Sequence, residues 1–184
     1  MIGGLPTALK VGGRSIPINS DFRVVLRIFE ALSDEKLSNI EKAYVTVKLL
    51  YADEITRQNF EEAVKKAYWF CDGGDIPKTE PEKIKTIDWK HDEMIIFPAV
   101  NKCAGFEVRS CPYMHWWTFL GIFGEIGEGL FSTVMNIRQK NAKGKKLEKW
   151  EREFLTRNKD LVILRSAEEQ AAIDETEEFL RTII

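Results

Sequence analysis

The chain is poor in the residues that most often do chemistry, with two histidines and three cysteines in 184 residues. Cys71, Cys103 and Cys111 are an odd number without framework spacing. That excludes a disulfide-stapled scaffold and points to free thiols in a reducing compartment. Net charge is also nearly absent. A formal charge of -2 exerts no global attraction on phosphate, so nucleic-acid binding would need a local patch. Neither an internal repeat nor a low-complexity tract is present, which argues against solenoids. Residues 1–10 hold no charged leader and no apolar run of signal-peptide length, so nothing points to export. Gly12-Gly13 and Gly73-Gly74 lack the glycine fingerprint and Gly-Lys-Ser/Thr ending of phosphate-cradling loops, and no nucleotide site is expected. The most apolar stretch, 116–135, has the length of a membrane span. It holds Glu125 and Glu128, each costing about 2.5–3.5 kcal/mol near a bilayer centre, so a buried helix is expected instead and no membrane association.

What remains is the composition of a self-sufficient globular chain. Hydrophobic residues at 44% and charged residues at 30% are too apolar for disorder, and a chain of this length buries roughly 70% of its unfolded surface. Residues 8–18 alternate around Gly12-Gly13, with Leu9, Val11, Ile16 and Ile18 inward, which predicts a short hairpin. Ser20 or Asp21 then caps a helix with Phe22, Val25, Leu26, Phe29 and Leu32 on one face. A second helix is expected to open at Asp34 with Leu37, Ile40, Tyr44, Val47 and Tyr51 on one side. A third opens at Thr56 through Phe60, Val64, Ala67 and Cys71. Short links between the three suggest antiparallel packing.

Glycines, prolines and charges make 72–86 a linker, which divides possible halves 1–71 and 87–184 of a single domain spanning 1–184. Beyond it, Trp89, Ile96, Val100 and Cys103 share a helical face that Pro98 should kink or split, and Gly105 ends it. Pro112 starts the next element, in which Trp116, Leu120, Phe123, Gly127, Leu130, Val134 and Ile137 form a heptad-like seam. Its glycines either permit close helix approach or mark a break near 125–129. Leu147, Trp150, Phe154 and Leu155 define another amphipathic helix. Ser166 and Glu169 make a capping box for a last helix running to residue 184. The fold class is therefore mainly α: a single helical, bundle-like domain with a short N-terminal β-hairpin.

Each possible reactive site has a plainer explanation. Cys103, Cys111 and His115, with His91 nearby, are zinc-type ligands, but only Cys111 and His115 stand at ligand spacing, so no metal is expected. The same pair lacks the third, orienting group of a nucleophilic site. Glu125 and Glu128 stand three apart, as exposed helix charges routinely do. No catalytic residue and no cofactor is expected. Charge distribution is more informative. Arg138, Lys140, Lys143, Lys145, Lys146, Lys149 and Arg152 outnumber Glu148 and Glu151, whereas Glu168, Glu169, Asp174, Glu175, Glu177 and Glu178 face Arg181 alone. A solvated face is the plain reading of the basic run. Pairing with the acidic segment, within a chain or in a homo-oligomer, is a second. Nucleic-acid binding through 138–152 is a weaker third, because the patch lacks interleaved aromatics.

The tryptophan pair at 116–117, Ile126-Gly127-Glu128, Phe131-Ser132, Ile137-Arg138 and the run KGKKLEKWEREF at 143–154 occur in that order. Together, residues 115–162 resemble the bacteriophage gene-product-fifteen family of tailed phages and prophages. The hairpin, Asp21-Phe22-Arg23 and the amphipathic helices extend the likeness over most of the chain, least in the Gly/Pro-rich linker. The resemblance implies a non-enzymatic tail assembly chaperone in the host cytoplasm that binds the tape-measure protein. Family members are usually encoded beside that long, apolar, helical polypeptide. A virion structural or tail-completion role is the alternative it leaves open. The implied contact surface would draw on Trp116, Trp117, Phe119, Arg138, Lys143, Lys145, Lys146, Lys149 and Trp150, the apolar motif residues serving the fold more than contacts.

Overall fold

A computed structural model of the chain describes residues 4–74 and 86–164. Most of the expected 72–86 linker and all of the expected last helix lie outside the described residues. The fold is mainly helical, with an N-terminal two-stranded antiparallel hairpin. The chain forms two compact units, Met1–Lys83 with Ile96–Gly127 and Ile84–Ile95 with Glu128–Ile184.

In the first unit, β1 (Ala8–Val11) pairs with β2 (Arg14–Pro17), Leu9 opposite Ile16. Gly12 and Gly13 turn the hairpin at φ 57° and 77°, a left-handed pair that glycine adopts without strain. Leu9, Val11, Ile16 and Ile18 are all buried. The Gly12 N–H donates to Glu62 Oε2 at 2.9 Å, and a Cβ on Gly12 would stand 2.1 Å from Asn59 Nδ2. This hairpin tip is therefore held against the helical body, with the Asn59 amide so close that a Cβ on Gly12 would have to push it aside.

Helix α1 (Phe22–Ser33) starts at Asp21, whose carboxylate accepts from the backbone N–H of Arg23 and so fills one of the orphan donors of the first turn. Its buried face is Phe22, Val25 and Ile28. Helix α2 (Asn39–Leu50) opens at Ser38, not Asp34, in a reciprocal capping box with Glu41. Its buried residues are Thr46, Val47 and Leu50, with Tyr51 buried just after it, whereas Ile40 and Tyr44 of the expected side are exposed. Thr56 precedes a single 3-10 turn, Arg57–Asn59, before α3 (Phe60–Cys71).

Helix α4 (Glu93–Ala104) contains Pro98 without being split. Met94 and Pro98 are both exposed, the side on which water replaces a lost backbone hydrogen bond. Gly105 closes α4 at φ 80°, its N–H donating to Asn101 O. The boundary between the two units falls inside α4, between Ile95 and Ile96.

The long seam is two helices, α5 (Trp116–Gly124) in the first unit and α6 (Leu130–Ala142) in the second. Apart from chain neighbours and the helix's own backbone, no described atom lies within 4 Å of a Cβ built on Gly121, Gly124, Gly127 or Gly129. Of the two readings of these glycines, the break holds. With no close packing to offset about 1 kcal/mol of helix propensity at each, the helix stops at Gly124. Two short helices follow, α7 (Lys149–Arg157) and α8 (Lys159–Val162). Among the described residues no helix is long and apolar enough to cross a membrane.

Candidate functional site

The tandem tryptophans stand at the start of α5, next to the end of α3. Trp116 Nε1 donates to Cys71 O at 2.8 Å and Trp117 Nε1 to Phe70 O at 2.9 Å. Two successive indoles thus donate to carbonyls in the last turn of α3, Phe70 O also accepting from the Gly73 N–H at 3.2 Å. Trp116 and Phe119 are buried at 1% and 0% exposure. Phe119 stacks on Phe22 with centroids 4.5 Å apart, and Trp116 stacks on Phe119 at 5.7 Å. Trp117 is half-buried, stacked on Phe70 and edge-on to Trp69. A Cβ on Gly74 would meet its ring at 2.8 Å.

His115 caps α5: Nδ1 accepts from the Trp117 N–H at 3.0 Å and Nε2 lies 3.0 Å from Pro6 O. Because Nδ1 is the acceptor, the proton sits on Nε2, which donates to the carbonyl. Both nitrogens are engaged within the protein. Burial pushes the Cys71 thiol up to about 12, with Asp72 adding to the shift, which makes it inert at neutral pH. Among the described residues no group of three or more His, Cys, Asp or Glu is placed to hold a metal ion.

In the second unit, Arg138 is buried in α6 and its five donors all have acceptors. Its guanidinium meets Asp92 through two 2.7 Å bonds. Nε donates to Val162 O, Nη1 to Thr86 O and Nη2 to Leu161 O, at 2.7, 2.9 and 2.8 Å. The side chain read as part of a basic surface is instead the clasp that ties α6 to the 86–92 segment and to α8. The sequence held one clue: Arg138 lies four residues after Val134 and beside Ile137, both buried, on the inward side of the helix.

Lys140 is similarly committed. Its Nζ donates to Glu151 Oε1 at 2.7 Å, while Oε2 accepts from the Glu148 N–H at 2.8 Å. The Lys140 bond first, then the Glu148 N–H, lowers the Glu151 carboxyl from its ordinary value. Glu148 and Glu151 together form the capping box of α7. Gly144, at φ 64°, ends α6, with Lys145 N–H donating to Lys140 O at 2.8 Å. Leu147 is buried. The loop 143–148 is thereby anchored at both ends, and it presents Lys143, Lys145 and Lys146 to solvent.

Lys149 and Trp150 continue that face onto α7, Trp150 being 56% exposed. Among the described residues Lys145, Lys146 and Lys149 enter no salt bridge. A shallow depression of about 320 Å³ beside them is lined by Lys149, Arg152, Glu153, Thr156 and Arg157. Of the residues the sequence singled out, the structure brings Lys143, Lys145, Lys146, Lys149 and Trp150 onto one loop-and-helix face. It holds Trp116, Phe119 and Arg138 inside their own units.

A family model described as Bacteriophage Gp15 protein matches residues 1–164. No curated protein and no solved structure matches the chain.

Proposed function

We propose, from the premise that this chain belongs to the bacteriophage Gp15 family, that it is a tail assembly chaperone whose work is recognition, not bond-making. Its partner in this reading is the tape-measure protein. Until a tail tube forms around it, that long helical polypeptide exposes apolar surface that aggregates, and a folded helical protein held against it keeps it soluble.

The observation that carries the reading is the family match over residues 1–164, and an exposed cationic and aromatic face supports it. Lys145, Lys146, Lys149 and Trp150 are exposed on a loop and helix anchored by the buried Arg138, Leu147 and Glu151. A large amphipathic ring beside uncompensated cations suits an acidic amphipathic helix, the cations setting encounter rate and register and the ring supplying buried area. Arg138 serves this surface by holding the second unit together, and Trp116 and Phe119 belong to the core of the first.

Co-expression with the neighbouring tape-measure gene is expected to raise its solubility and yield a complex that co-elutes on size exclusion. Separate elution with no gain in soluble yield refutes the reading. Mass spectrometry of purified particles separates it from a virion component, since a chaperone is absent from mature tails.

A further inference from the structure

Five cations between residues 138 and 149 of the second unit differ in their surroundings. Arg138 and Lys140 are neutralised by Asp92 and Glu151, whereas Lys145, Lys146 and Lys149 stand exposed in the loop and first turn of α7 beside Trp150. Just past the described residues, and past the family match at residue 164, the sequence from 168 to 178 reads EEQAAIDETEE. It carries six carboxylates, no cation, and an Ala-Ala-Ile centre.

We propose that this acidic stretch, residues 168–178, docks in cis on the cationic face formed by Lys145, Lys146, Lys149 and Trp150. Charge complementarity is one ground. Lone exposed ion pairs contribute little, but several carboxylates on one short tether meet several cations at an effective concentration near the millimolar range. Position is the other. The tether starts at Leu164, directly after α8, and α8 packs on α7 within the same unit. The four residues from Leu164 to Glu168 reach at most about 14 Å, and the nine residues of α7 measure about 14 Å end to end. The reach of the tether is thus comparable with the length of the helix that carries Lys149 and Trp150, and Ala171, Ala172 and Ile173 give the segment an apolar centre to set against the Trp150 ring. An acidic partner of this face has to displace it.

The test uses the full chain and needs no partner. Lysine acetylation by an N-hydroxysuccinimide ester is followed residue by residue by mass spectrometry. It compares the native chain with E168Q/E169Q/D174N/E175Q/E177Q/E178Q. The docked segment is expected to slow labelling of Lys145, Lys146 and Lys149 at least about threefold relative to the variant, the ratio for a face covered two-thirds of the time. Exposed Lys10 and Lys36 should label equally in both. Raising salt from about 50 mM to about 1 M on the native chain alone should erase the protection, because the Debye length falls to about 3 Å. Equal labelling rates at low salt overturn the proposal. Protection that disappears on dilution also overturns it, by assigning the occupant to a second copy of the chain.

Discussion

Asp92→Ala tests whether Arg138 serves the fold or a partner. The substitution leaves a guanidinium 5% exposed with two donors unfilled, and it removes the acceptor of the Asp88 N–H. Breaking one side of a buried pair costs about 3–5 kcal/mol, since the remaining charge is neither hydrated nor compensated. For a chain of this length each kcal/mol lowers the melting temperature by about 2–4 °C, so the fall should be roughly 6–20 °C. Circular dichroism melts measure the shift, and hydrogen exchange locates it, with protection lost first in peptides covering α6 and α8. Arg138→Lys keeps the charge but brings three donors to five acceptors, and should fall between native and Asp92→Ala. The double variant Arg138→Ala/Asp92→Ala should cost less than the sum of its singles. A shift below about 4 °C for Asp92→Ala, with exchange unchanged, refutes the clasp and returns Arg138 to the contact surface.

Three further outcomes follow from the same geometry. Gly12→Ala should destabilise more than Gly13→Ala in thermal melts: both incur about 1–2 kcal/mol for a left-handed backbone, but only the Gly12 Cβ runs into Asn59, while Gly13 has open space. Glu107 is held down at about 2 chiefly by hydrogen bonds from Arg109, against an ordinary 4.5. Its contribution is therefore complete above about pH 4.5 and lost as pH falls toward 2. Glu107→Gln should flatten that part of an acid-unfolding curve, and an unchanged curve counts against the Arg109 contact. Fluorescence titration with a short DNA duplex at low salt should stay flat, because Arg138 and Lys140 are already paired; a salt-sensitive isotherm would favour nucleic acid over an acidic protein helix.

Local signals made much of the fold legible. The hairpin and its inward residues are legible because strand alternation and a Gly-Gly turn are short-range features. Helix α2 was phased wrongly at Ile40 and Tyr44. Asp34 looked like a cap, although Ser38 with Glu41 three residues on was the stronger signature. The seam from Trp116 to Ile137 fitted a heptad, and only the open space around its glycines decided between packing and a break. The candidate surface was legible in part. Counting charges found the basic run, but pairing across 46 residues, from Asp92 to Arg138, leaves no trace in spacing. The cations that neighbours neutralise therefore could not be told from those left exposed.

In the proposed function, the loop-and-helix face of the second unit is the surface that meets the partner. Affinity for the tape-measure protein, measured for the native chain and for K145E/K146E/K149E/W150A after matching their circular dichroism, tests it most directly. The native chain should form a complex and the variant should bind at least about tenfold more weakly, the scale expected when an aromatic anchor and its charges are removed together. Equal affinities, or no complex with the native chain, would contradict it.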